Sequence, residues 1–285
     1  MAGPLLVVDA PSLMYRSFFA LPDTITDATG QPVNALLGTV NQLLFVLAEQ
    51  HPRAVVLCFG PDAAPYRVKL YPGYHAKRPP MPDGLSGQWA QAPEFFASFG
   101  WYVTDHDDVE ADDLLYSLGL EEAEKGGEAM LMTGDRDLYG AVRERVVVLY
   151  VRTGKQGPER VDRAEVRRRY GVEPEQVADF IALRGDPSDG LPGAPGIGEK
   201  TAGELLRNHG SLEQAIARSL RERPRVGAAL RDHADELRAF KQIATLQRVA
   251  VKLPADRETD SAGGAKAARA RGMERLAMRL EAGGA

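Results

Sequence analysis

Val109-Glu110-Ala111-Asp112-Asp113-Leu114-Leu115 puts three carboxylates into four positions at the head of an apolar segment. Ala111, Leu114, Leu115 and Leu118 recur at helical spacing, so the stretch reads as the first turn of an amphipathic helix with one buried side. Glu110 and Asp113 then share a face, and Asp112 lies to one side of it. Anions this close repel one another, and their pKa values rise unless a cation sits among them. A Mg²⁺ or Mn²⁺ site is one reading; an acidic first turn that complements the helix dipole is the other. The choice depends on whether more carboxylates reach the same place.

Two further stretches each bring carboxylates to the end of a buried strand, from where they could converge on it. Leu5-Leu6-Val7-Val8 is a buried strand that ends in Asp9, followed by turn-forming Pro11 and Ser12 and then Tyr15-Arg16. Ala129 to Thr133 is another, ending in Thr133-Gly134-Asp135-Arg136-Asp137-Leu138. Between them lie an amphipathic helix over Leu36 to Leu47, a buried strand over Ala54 to Phe59, a Phe95/Phe96/Phe99 helix and a short strand from Trp101 to Thr104. Val146 to Val151 is the last apolar run and closes the sheet. Strands and helices in alternation predict an α/β fold with right-handed crossovers and a central, mostly parallel sheet flanked by helices. Ligands bind at the carboxyl edge of such a sheet, where Asp9 and Asp135 sit.

The chain has 285 residues, 44% of them hydrophobic, and a net charge of -5, enough for one large core or two modest ones. That balance argues against indiscriminate coating of nucleic acid, although a local basic surface is compatible with it. No apolar run approaches eighteen residues and no leader precedes Leu5, so a cytoplasmic protein with no membrane association is expected. The single Cys58 falls in a strand and reads as a buried structural thiol.

Residues 61 to 88 mix proline, glycine, cations and aromatics, as in Tyr66-Arg67 and Tyr74-His75-Ala76-Lys77-Arg78-Pro79-Pro80. So long a link suits either a single-stranded nucleic acid contact or a solvated surface loop. Arg163 to Arg169 is a basic helix with Val166 and Tyr170 inward; its cations are either solvated or on duplex phosphate. Further on, a helix ends at Gly185, a turn carries Asp186 and Asp189, and Gly196-Ile197-Gly198-Glu199-Lys200-Thr201 opens a new helix. Paired glycines before a helix N-terminus let a phosphate approach the backbone, and Lys200 adds a cation. The stretch is not a nucleotide phosphate loop, since Glu199 separates glycine from lysine and no apolar strand precedes it. From about Asp256 the chain is rich in Ala, Gly and Arg and is expected to be a mobile tail, with a weak helix around Met273 to Leu280.

Taken together, Val8-Asp9, Tyr15-Arg16, Tyr74 to Pro82, Glu110 to Asp113, Gly134 to Leu138, and Gly185 to Asp189 with Gly196 to Ala202 resemble the 5′-nuclease, or flap endonuclease, family. The likeness runs from about residue 5 to 253 and is greatest to the 5′→3′ exonuclease domain of bacterial DNA polymerase I, in a free-standing form. It implies a PIN-like 5′-nuclease core over residues 1–170, with a helical arch at about 65–90, and a helix-hairpin-helix region binding duplex over 171–253. The tail would occupy 254–285. The activity implied is a structure-specific 5′→3′ exonuclease and 5′-flap endonuclease of replication and repair. Asp9, Glu110, Asp112, Asp113, Asp135, Asp137, Asp186 and Asp189 match the family's carboxylates for two or more Mg²⁺ or Mn²⁺ ions. Tyr74, His75, Lys77 and Arg78 match its catalytic arch, and Arg16, Arg67, Lys77, Arg78, Gly196, Gly198, Lys200 and Thr201 its DNA contacts, with K⁺ often at the hairpin. DNA is the implied partner, with functional links to polymerase and ligase, and a monomer is expected.

Two positions depart from the family pattern. Gly60 follows Phe59 where an Asp is usual, and His75 follows Tyr74 where a Lys is usual. Neutral imidazole stabilises a transition-state phosphate less well than ammonium does. A catalytically weak junction-binding protein of the same fold is therefore the alternative. An aspartyl-nucleophile phosphatase is disfavoured because Pro11 stands where its general acid belongs.

Overall fold

Leu5, Leu6, Val7 and Val8 are all fully buried, so the first strand has a packed layer on each face. The computed structural model describes residues 3–152 and 157–283; Met1, Ala2, residues 153–156, and Gly284 and Ala285 at the end of the expected tail lie outside them. In chain order the first part comprises β1 (Leu5–Asp9), α1 (Ala10–Ala20), α2 (Asn34–Gln50), β2 (Ala54–Cys58), α3 (Pro65–Leu70), α4 (Asp83–Ala97), β3 (Tyr102–Thr104), α5 (Ala111–Glu124), β4 (Ala129–Thr133), β5 (Val146–Tyr150) and β6 (Glu159–Val161). The sheet order is β3-β2-β1-β4-β5-β6. Every neighbouring pair is parallel except β5 and β6. The expected last strand is thus followed by a short antiparallel edge strand, whose three residues are too few to show a pattern in sequence.

Successive β1 side chains point to opposite faces. Leu5 and Val7 join Leu114, Leu118 and Phe180 in one core, and Leu6 and Val8 join Leu36, Leu43, Phe95 and Phe99 in the other. From β1 the chain crosses one way to β2 and later the other way to β4. The carboxyl end of β1 is therefore the switch point of the sheet, where two crossovers diverge and leave a crevice.

The second part comprises α6 (Arg163–Tyr170), α7 (Val177–Arg184), α8 (Glu199–His209), α9 (Leu212–Ala217), α10 (Pro224–Asp232) and α11 (Ala234–Ala244), which extend the core on the α5 side. Val166 and Tyr170 of α6 are buried as expected, while its arginines pair with Glu159, Glu165 and Glu173, so this face is occupied by ion pairs.

Two expectations are corrected. The tail is packed: the helix expected around Met273 to Leu280 is present as α13 (Glu274–Glu281), and ahead of it stands α12 (Ser261–Arg269), which was not expected. Ala265, Ala268, Met273, Leu276, Ala277 and Leu280 are buried against the α2 and α4 layer. The small residues that read as low complexity are what let α12 sit close, and Phe99 lies against Gly264. The extended run before α12 is tied down by Arg257 N donating to Arg53 O at 2.8 Å and Asp260 N to Phe99 O at 2.8 Å. The arch region is α3, a run of turns over residues 71–82 and the first half of α4. Pro79, Pro80 and Pro82 prevent one continuous helix there.

Candidate active site

β1 and β4 end side by side, and the loops that leave them are bonded to each other. Asp9 caps α1, accepting from Ser12 N at 3.0 Å and from Thr133 Oγ1 at 2.6 Å. Ser12 Oγ accepts from Gly134 N at 3.1 Å, and Thr133 Oγ1 from Asp135 N at 2.9 Å. Asp135 in turn accepts from Asp137 N at 2.8 Å, an Asx-type turn that presents both carboxylates from one short loop. Asp112 arrives from the first turn of α5 and Asp189 from the turn after α7. Asp9, Asp112, Asp135, Asp137 and Asp189 line a single cavity of about 1000 Å³ with Arg16 and Arg78.

Crowding leaves its mark on these acids. Burial raises the pKa of Asp9, Asp112, Asp135 and Asp137, and their mutual repulsion adds to the effect for Asp112, Asp135 and Asp137. Asp135 is pushed up to about 6. Arg184 offsets part of the rise at Asp137, and Arg67 part of that at Asp112. No three acidic or imidazole side chains among the described residues close into a ready coordination shell. The donors are nevertheless all hard carboxylate oxygens around one space, and they suit a cation that keeps part of its water and reaches some ligands through it. The residues therefore fit a hard divalent cation, which Asp9, Asp112, Asp135, Asp137 and Asp189 would hold.

Glu110 and Asp113 are placed differently. They do share a face of the first turn, but the cation between them is the guanidinium of Arg67. Arg67 meets Glu110 Oε2 at 3.0 Å and Asp113 Oδ1 at 2.8 Å, and donates from Nε to Ile243 O at 2.9 Å. Asp113 is fully buried and also accepts from Tyr66 OH at 3.0 Å and Gln247 N at 2.8 Å. Its expected role as a metal ligand is corrected, and so is that of Arg67 as a DNA contact, since Arg67 is only 3% exposed. Glu110 lines the cavity, yet its oxygens are taken by Ala64 N at 2.7 Å and Tyr74 OH at 2.9 Å besides Arg67. It ties the turns after α3 to the acidic helix.

Tyr74 and His75 stack at 3.8 Å between ring centroids, both buried. His75 Nε2 lies 3.1 Å from Asp189 Oδ1, and Nδ1 meets the Asp62 carbonyl. Arg78 bridges Asp62 at 2.9 Å and Asp189 at 3.1 Å, so it is the arch cation held at the cavity. Lys77 is exposed beside it. Asp186 stands behind Asp189, bonded to Arg184 at 3.0 Å and to Ser188 N at 2.8 Å, and its charge still raises Asp135 and Asp137.

Gly60 has a structural cause. A Cβ there would lie 2.6 Å from Val109 O and 3.0 Å from Ala111 N, so the acidic turn packs directly on the bare backbone. Asp62, two residues on, faces solvent and Arg78. The hairpin glycines lie apart from the cavity. Gly198 precedes α8 without a side-chain cap, and Lys200 is exposed, so the helix offers free backbone N–H groups and a cation. Sequence reasoning missed Thr133, Ser12 and Arg184. Thr133 alone carried a signal, as the hydroxyl between a buried strand and Gly134-Asp135.

Comparison with known proteins follows the same lines. The fold is that of the phage 5′ nucleases: a bacteriophage T5 5′-exonuclease with bound zinc superposes with a TM-score of 0.69 at 16% identity, covering 98% of this chain and 97% of that one. Residues 4–171 match the family model "5′-3′ exonuclease, N-terminal resolvase-like domain", and residues 172–266 match "5′-3′ exonuclease, C-terminal SAM fold". The chain belongs to the 5′-3′ exonuclease family. A 5′-3′ exonuclease of Mycobacterium tuberculosis is 38% identical over 237 residues, 76% of this chain and 74% of that protein. The thermostable DNA polymerase I of Thermus thermophilus is 38% identical over 282 residues, 99% of this chain and 32% of the polymerase. The chain thus spans about a third of that polymerase relative. No helix among the described residues is long and apolar enough to cross a membrane.

Proposed function

We propose that this chain cuts DNA phosphodiesters at a 5′ flap or an exposed 5′ end, using two or more Mg²⁺ or Mn²⁺ ions, and serves replication and repair in the bacterial cytoplasm and nucleoid. The observation that carries this reading is the convergence of Asp9, Asp112, Asp135, Asp137 and Asp189 on one cavity beside Arg16 and Arg78. Bound there, such ions would supply hydroxide at neutral pH and neutralise the departing 3′ oxygen. The protein's own part is to hold its carboxylates apart at fixed positions, through the Thr133 and Ser12 hydroxyls and the Asp135 turn. Arg78 and Arg16 face the space that a scissile phosphate would fill, Arg78 from its bridge between Asp62 and Asp189, while His75 is stacked on Tyr74 and bonded to Asp189.

Asp186 is proposed to act through water, and Glu110, Asp113 and Arg67 to hold the turn in place. Tyr74, Lys77 and Arg78 would meet the 5′ strand, and Gly196, Gly198, Lys200 and Thr201 the duplex, with K⁺ at the hairpin. The chain would work as a monomer, alongside a polymerase and a ligase. A protein that only bound junctions would gain nothing from crowding so many buried like charges. The test is cleavage of a 3′-labelled 5′-flap duplex with Mg²⁺, Mn²⁺ or EDTA. Metal-dependent cuts near the junction are expected, with Asp135→Asn abolishing them while flap binding in Ca²⁺ persists. Tight binding with no cut in either metal would sink the nuclease reading.

A further inference from the structure

Arg53, Arg67, Arg78, Arg163, Arg184, Arg238, Arg248 and Arg269 each sit against a carboxylate. The segment from the end of α9 into the first turn of α10 gathers arginines that are not held in this way. Arg218, Arg221, Arg223 and Arg225 fall within eight residues, all exposed. The one acid inside the turn, Glu222, is already engaged by His209 at 2.7 Å. Among the described residues only Arg223 of the four has an acidic partner, Glu204, at a loose 3.8 Å with both side chains in solvent. Leaving like charges crowded and uncompensated costs stability, in a chain whose net charge is -5.

The turn is rigid and its place is fixed. Ser219–Arg221 is a 3₁₀ turn with Ser219 buried, and α10 packs on it so closely that a Cβ at Gly227 would lie 2.3 Å from Ser219 O. Two contacts set it beside the hairpin: the Arg223 and Glu204 pair reaches α8, and the Arg225 guanidinium lies 3.3 Å from where a Cβ on Gly196 would be. At the tip between Arg218 and Arg221, Leu220 is 84% exposed.

We infer that this arginine turn is a second duplex-binding surface, continuing the hairpin grip onto the next stretch of phosphate backbone. The substrate's charge is what it complements. Phosphates flank a groove whose sugar edges are apolar, which matches cations on either side of an exposed leucine. The inference rests on the nuclease reading for its substrate, duplex DNA.

The test is salt titration of flap binding in Ca²⁺, where turnover does not interfere, with the wild-type chain and with Arg218→Ala/Arg221→Ala. These side chains pair with no acid among the described residues, so an unchanged melting temperature is expected. On a substrate with about two helical turns of duplex beyond the junction, the slope of log K against log salt should fall by about 2, roughly 0.9 for each phosphate that is no longer neutralised. On a duplex too short to pass the hairpin, wild type and variant should coincide. An unaltered slope on the long duplex would overturn the proposal and point to a protein partner for the turn. Equal losses on both duplexes would overturn it too. A wild-type chain that binds with this slope but never cuts would refute the nuclease reading and leave the surface standing.

Discussion

Gly60 lies where the acidic turn and the second strand meet, and its lack of a side chain sets how close they come. A methyl group on this residue would stand 2.6 Å from Val109 O and 3.0 Å from Ala111 N, so even alanine must push the turn away. Gly60→Ala should therefore destabilise the fold by about 1–3 kcal/mol, as overpacking does. It should also weaken Ca²⁺-dependent flap binding, because Asp112 rides on the displaced turn; calorimetry with a metal titration reads both. An Asp at this position, which the resemblance leads one to expect, would meet the same wall. Arg67 is the other decisive residue. Removing it in Arg67→Met leaves Glu110 and Asp113 buried without their cation, a loss of about 3–5 kcal/mol. Arg67→Lys keeps a charge but cannot fork between two carboxylates and a carbonyl, so chemical denaturation should place it between the wild type and the methionine variant.

At the scale of elements, the ends of β1 and β4 deliver Asp9, Asp135 and Asp137, and the hydrogen-bonded turns that follow fix them. The hairpin works by backbone instead. Under the proposed function, its free N–H groups at the start of α8 would hold phosphate by position, and Lys200 would add one charge. Lys200→Ala should weaken duplex binding equally for all sequences and lower the salt slope by about 1. An unaltered slope in a fluorescence titration would remove Lys200 from the interface. How legible these elements are follows from their physics. β1, β2, β4 and α2 are uninterrupted apolar patterns, and Asp9, Asp112 and Asp135 follow from where those patterns stop. Local pattern says nothing of partners brought from afar. Arg67 lies 46 residues from Asp113 in sequence and 176 from Ile243, so a basic residue among aromatics looks like a DNA contact until the fold buries it. α12 was hidden by its composition, because alanine and glycine give no periodic signal while serving as close-packing surfaces against Phe99.

For the molecule as a whole, the site is a cost that the rest of the fold carries. Asp9, Asp112, Asp135 and Asp137 hold their protons more tightly in the folded chain than in the unfolded one, Asp135 to about 6. Groups raised in this way stabilise the fold while protonated, fully below the ordinary carboxylate range near 3.8. That contribution fades as pH rises through the folded values, since ionising them restores the repulsion. The metal-free chain should accordingly begin to lose melting temperature as pH rises above about 4, with the Asp135 contribution gone once pH has passed through about 6. A divalent ion reverses the sign at the same carboxylates, because it binds only their ionised forms. Mg²⁺ or Mn²⁺ at fixed concentration should raise the melting temperature far more at about pH 8 than at about pH 5, and Asp135→Asn should flatten both the metal-free slope and the ion's effect. Scanning calorimetry over that range with and without metal reads all of these. A metal-induced shift that is the same at both ends, or one undiminished by Asp135→Asn, would place the ion elsewhere on the molecule.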